Sequence, residues 1–119
     1  MTEDCIFCKI AKKEIPARKI IYENDNFFSI PDANPAIEGH TLVIPKKHFK
    51  TILDLPNTLG PELLDCIKKT ALKLMKKYKA EGFNVANNNF PCSGQIIHHV
   101  HFHIMPRKEK DGRRLHLDK

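Results

Sequence analysis

A chain of 119 residues, 41% hydrophobic and 29% charged, is sized for one globular domain with a single core. No apolar run approaches the roughly 20 residues needed to cross a bilayer as a helix. The net charge of +6 admits a phosphorylated ligand, but the lysines are scattered along a helical stretch with no aromatic platform between them. They read as a solvated face, so neither a specific nucleic acid nor a membrane is expected as partner.

The chain opens MTEDCIFCKI, acidic and then mixed, unlike a secretory signal, so a cytoplasmic location and reduced thiols are expected. Cys5 and Cys8 form a CxxC on a predicted short helix over 5–13, a spacing suited to metal binding or redox chemistry. KIIYEN (19–24) and NFFSI (26–30) read as two strands of a hairpin turning at Asn24-Asp25. PDANPAIEGH (31–40) reads as a loop and HTLVIP (40–45) as a third strand. Leu63, Ile67, Leu72, Leu74 and Met75 recur at helical spacing and predict one long helix over 58–80, with Thr58 as N-cap and Gly82 after its end. FNVANN (83–88) and IIHHVHFHIM (96–105) read as strands four and five, joined by the polar turn NFPCSGQ. The order predicts an α+β domain: a five-stranded antiparallel sheet, one long helix covering a face, and a short N-terminal helix. It occupies 1–107, followed by a basic tail over 108–119.

On a strand, His99, His101 and His103 share one face, while Val100, Phe102 and Ile104 point into the core. His98 falls on the other side. Aligned neutral imidazoles suit metal ligation, nucleophilic attack or proton transfer. Gly94 lets backbone approach a phosphate closely. The residues alone thus point to phosphoryl or nucleotidyl transfer through histidine, with metal-dependent hydrolysis as competitor.

The motif His99-Val100-His101-Phe102-His103-Ile104, with CIFCKI, GHTLVIPKKH (39–48), NNN (87–89) and the Gly94-Gln95 pair, resembles the histidine-triad (HIT) family, in its Hint and bacterial branch. The resemblance spans 5–107. It implies a HIT-like fold and hydrolysis of a nucleoside 5′-phosphoramidate, with His101 as nucleophile and release of AMP. His103, His40 and Gln95 would assist at the phosphate. Phe7, Ile10 and Ile30 would line the base pocket, Asp32 would hold the ribose hydroxyls, and Asn88, Gly94, Gln95 and His103 would lie by the phosphate. Structural zinc would sit on Cys5, Cys8, His48 and His99, with no organic cofactor. The substrate would be a purine nucleotide, and the chain would form a homodimer through the helix and strand four. Hydrolysis of dinucleoside polyphosphates, or nucleotide-dependent regulation with little turnover, are the alternatives. One departure stands out: Ile96 occupies a position where the family often carries Ser or Thr.

Overall fold

The computed structural model describes residues 5–16 and 19–112. Two helices and five strands occur in chain order: α1 (Ile6–Ala11), β1 (Tyr22–Glu23), β2 (Phe27–Pro31), β3 (Thr41–Pro45), α2 (Gly60–Tyr78), β4 (Gly82–Ala86) and β5 (Phe102–Arg107). The strands form one antiparallel sheet in the order β1-β2-β3-β5-β4. The expected α+β architecture is therefore present, with β3 at its centre and β5 between β3 and the edge strand β4.

The sheet divides two apolar clusters. Phe27, Val43, Val100, Phe102 and Ile104 pack with Cys66, Ala71 and Leu74 of α2. On the other face Phe28, Ile30, Leu42 and Ile44 pack with Cys5, Phe7 and Cys8. Both faces are covered, which is why β2 and β3 are almost continuously apolar rather than alternating. Asn24 makes the expected hairpin turn: its Oδ1 accepts from the Asn26 and Phe27 N–H groups at 3.2 and 2.9 Å.

Several boundaries differ from the sequence expectation. The first strand shrinks to Tyr22–Glu23. A 3₁₀ turn at Asn57–Leu59 leads into α2, so Thr58 does not cap it; Pro61 occupies the first turn instead. The helix ends at Lys79, left-handed at φ 54°, with Ala80 N–H bonded to the Met75 carbonyl, and Gly82 opens β4. Leu72 keeps helical spacing but is 64% exposed, turned away from the sheet. β4 stops at Ala86, leaving Asn87 and Asn88 outside it. The tail beyond Gly112 lies outside the described residues.

The largest difference concerns β5, expected over 96–105 and found over Phe102–Arg107. Its ladder with β3 runs through Thr41↔Ile104, Leu42↔His103 and Val43↔Phe102 and then stops. Farther along β3 stands Pro45, which has no N–H to offer. Its carbonyl is taken by a side chain, the His99 ring, at 2.8 Å. Val100 N–H turns to the Phe49 carbonyl instead, at 2.7 Å. His99 and His101 thus lie on the run-in to β5, and the alternation persists without the strand: Val100 and Phe102 enter the α2 cluster, while both imidazoles reach Phe7 on the opposite face.

Ile104 is fully buried at the centre of the α2 cluster. Ile104→Ala should lower unfolding free energy by about 2–5 kcal/mol, read from urea unfolding with the slope unchanged.

Candidate active site

Hydrogen-bond partners fix the tautomer of each site histidine. His101 Nδ1 lies 2.8 Å from the His99 carbonyl. A carbonyl only accepts, so Nδ1 carries the proton and the lone pair is on Nε2. The His101 carbonyl is in turn held by Asn87 Nδ2, at 2.9 Å. The unprotonated Nε2 is thereby set by backbone geometry on one side of the ring, and the backbone is anchored by an amide on the other.

His103 belongs to a different chain of contacts. Ala36 N–H donates to His40 Nδ1 at 3.0 Å, which places the His40 proton on Nε2. That Nε2 is 2.8 Å from His103 Nδ1 and donates to it. His103 consequently carries its own proton on Nε2, ready to donate to an anion. The Asp32 carboxylate flanks the pair, with Oδ2 3.5 Å from His40 Nε2. Burial, followed by the charges that His101 and His40 would bear, holds His103 down to about 4. Burial also lowers His40, against the opposing pull of Asp32. Both rings stay neutral near pH 7, as the relay requires. His101 and His103 lie with ring centroids 5.1 Å apart.

Cys5, Cys8, His48 and His99 form a second cluster, their four ligand atoms within 4.8 Å of one another. His99 Nε2–H is committed to the Pro45 carbonyl, so its Nδ1 lone pair faces the thiols: 3.2 Å from Cys5 Sγ and 3.5 Å from Cys8 Sγ. His48 Nδ1 is 3.3 Å from Cys8 Sγ. A tetrahedral zinc bound to two sulfurs and two imidazoles has sulfur–nitrogen edges of roughly 3.5 Å. Two thiols and two imidazoles at this spacing suit that ion without rearrangement of the fold. Burial, then the Cys5 thiol beside it, pushes Cys8 up to about 11, so metal uptake would release protons. Asp32, His40 and His103 also converge closely enough for a cation. There the tautomers are wrong: the His40 nitrogen facing the group bears its proton.

The remaining candidates fall into two groups. Phe7 and Ile30 are buried in the α1-side cluster, and Ile10 packs against it. Asn88 lies by Gly94, whose φ of +105° demands glycine. The Gly94 N–H, expected near phosphate, is bonded to the Pro91 carbonyl at 3.0 Å. The buried Gln95 amide braces two segments, Oε1 accepting from Phe90 N–H at 2.7 Å and Nε2 donating to the Lys50 carbonyl at 2.7 Å. Ile96 is 86% exposed beside it. His98 is exposed and outside both histidine clusters. Sequence reasoning missed Ala36, Asn87 and Pro45. Two act through backbone atoms, which carry no residue signature; the NNN run was the available signal for Asn87.

A cavity of about 610 Å³ lies at the far end of β4 and β5, lined by Glu81, Gly82 and residues 107–112. It contains neither thiol nor histidine, so volume does not mark the chemistry here.

A sequence model of the HIT domain matches residues 12–110. An uncharacterized HIT-like protein of Methanocaldococcus jannaschii is 45% identical over 108 residues, covering 91% of this chain and 82% of its own. The Candida albicans adenosine 5′-monophosphoramidase is 40% identical over 110 residues, covering 89% and 72%. The crystal structure of a HIT-family member from Bacillus subtilis superposes with a TM-score of 0.88 at 33% identity, covering 98% of this chain and 82% of that one.

Because His40 and His103 are held below the ordinary histidine value, the unfolded chain binds protons that the folded chain refuses. Their contribution to stability is complete above about pH 6.5 and is lost as pH falls toward about 4. Thermal melts should show this decline, and His103→Gln should flatten it.

Proposed function

The chain belongs to the HIT domain family, and on that premise we propose that it hydrolyses nucleoside 5′-phosphoramidates, releasing AMP or a related nucleoside monophosphate. The observation that carries this reading is the pairing of tautomers: an unprotonated Nε2 on His101 beside a protonated Nε2 on His103. One ring is set to attack and its neighbour to donate.

His101 Nε2 bonds to the α-phosphorus as the P–N bond breaks, and the departing amine takes a proton from solvent. Water then cleaves the nucleotidyl-histidine, giving the monophosphate and restoring neutral His101. Dividing one displacement into two is the advantage of a covalent route. His103 Nε2–H donates to a phosphoryl oxygen as charge develops there. His40 keeps that proton in place by donating to His103 Nδ1. Asp32 would accept from the ribose hydroxyls, and Phe7, Ile10 and Ile30 would face an apolar base. Asn88 and the Gly94-Gln95 turn would shape the phosphate end, Gln95 by bracing the loop through its two backbone bonds.

Zinc on Cys5, Cys8, His48 and His99 would supply a structural tie between α1 and the triad segment. The chemistry belongs to His101, outside that cluster. AMP release from adenosine 5′-phosphoramidate is expected from the wild type and at least 10³-fold less from His101→Ala, about the scale of losing a nucleophile. Brief chelation at low temperature should reduce turnover through loss of order, with zinc re-addition restoring it. Negligible release by both proteins would redirect attention to dinucleoside polyphosphates, or to nucleotide binding without turnover.

The second proposed partner is another copy of this chain. β4 is an edge strand, and Leu64 and Leu72 of α2 and Phe83 and Val85 of β4 are exposed apolar side chains. An open edge flanked by apolar groups favours two-fold pairing. Sedimentation should show a dimer for the wild type and a shift toward monomer for Leu72→Glu.

A further inference from the structure

Phe7 lies within the Cys5-Ile6-Phe7-Cys8 stretch, between two of the four cluster residues. Its ring is buried and meets two imidazoles edge-on, His99 at 5.7 Å and His101 at 5.3 Å between centroids. His99 in turn meets the thiols with its ring and holds His101 Nδ1–H with its carbonyl. Two paths therefore lead from the cysteine–histidine cluster to the nucleophile: one through the His99 backbone, one through the Phe7 ring. α1 has only six residues and no side-chain N-cap, so little within the helix fixes the position of Phe7.

We infer that Phe7 is a positioning residue for His101, and that a cation on Cys5, Cys8, His48 and His99 reinforces the apolar packing that holds Phe7 against it. Phe7 supplies the wall that His101 leans on: the hydrogen bond to the His99 carbonyl holds Nδ1, and the ring edge beside it limits the residual rotation about χ1 and χ2. An aromatic ring against the imidazole restricts the rotation, and a shift of about 1 Å in a nucleophile costs up to 10²-fold in rate. The inference rests on His101 acting as nucleophile. It is additional to facing the base, a role that by itself would act on substrate binding and leave the imidazole unmoved.

The test compares three samples: zinc-loaded wild type, wild type stripped with a chelator, and zinc-loaded Phe7→Leu. Zinc content and circular dichroism report loading and folding. The spectroscopic readout is the ¹⁵N and ring-proton NMR signal of His101, recorded without substrate. In Phe7→Leu, one zinc per chain should remain while the His101 signal shifts and broadens; stripping the wild type should broaden the same signal. With adenosine 5′-phosphoramidate, kcat should fall about tenfold and KM should stay within twofold. A sharp, unshifted His101 signal in Phe7→Leu, with KM raised at constant kcat, would overturn the inference and leave Phe7 as a pocket wall. An unshifted signal after stripping would overturn the role of the cation. Phe7→Met preserves volume and serves the same comparison if Phe7→Leu unfolds. The NMR readout needs no turnover, so it decides the positioning role even if phosphoramidates prove not to be substrates.

Discussion

The bond from His99 Nε2–H to the Pro45 carbonyl holds the site together. A buried carbonyl at the end of a ladder needs a donor, and a buried imidazole needs an acceptor. Each satisfies the other, and three consequences follow. The β3–β5 ladder ends there, giving the chain its irregular approach to β5. The His99 lone pair is turned toward the thiols. Its peptide carbonyl is left for His101 Nδ1–H. Loss of this one contact would free the ring that faces the thiols and loosen the backbone that holds His101.

The two histidine groups show how the same side chain takes opposite roles through a single neighbouring backbone atom. A carbonyl at Nε2 leaves the His99 lone pair on Nδ1; an amide N–H at Nδ1 makes His40 a donor through Nε2. Both groups converge closely enough to suggest metal binding. Donor geometry separates them: one has lone pairs facing inward, and the other has a proton already shared between its rings.

Much of this was legible in the sequence. The triad alternation, the CxxC, the single long helix and the succession of elements along the chain all rest on side-chain pattern, and pattern survives in one dimension. The helix cap at Thr58, the end at Lys79 and the start of β5 were not legible. The first two depend on local backbone bonds that several residue types satisfy equally. The third depends on Pro45 meeting a ring 54 positions away, which periodicity does not encode. Gln95 and Gly94 illustrate the same limit. Their place near the triad could be read from the motif, but the Lys50, Phe90 and Pro91 backbone groups that occupy their polar atoms could not.

The contact between Cys5 and His99 spans 94 positions, nearly the full chain. Closing so long a loop early is entropically costly, whereas hairpins and the α2 packing close over far shorter distances. On the ribosome, the N-terminal thiols emerge first and must wait for the triad segment to leave the exit tunnel. During that interval His48 is the one imidazole partner the thiols can meet. The order of synthesis thus places completion of the thiol–imidazole cluster late, after β1–β3, α2 and β4 have been made.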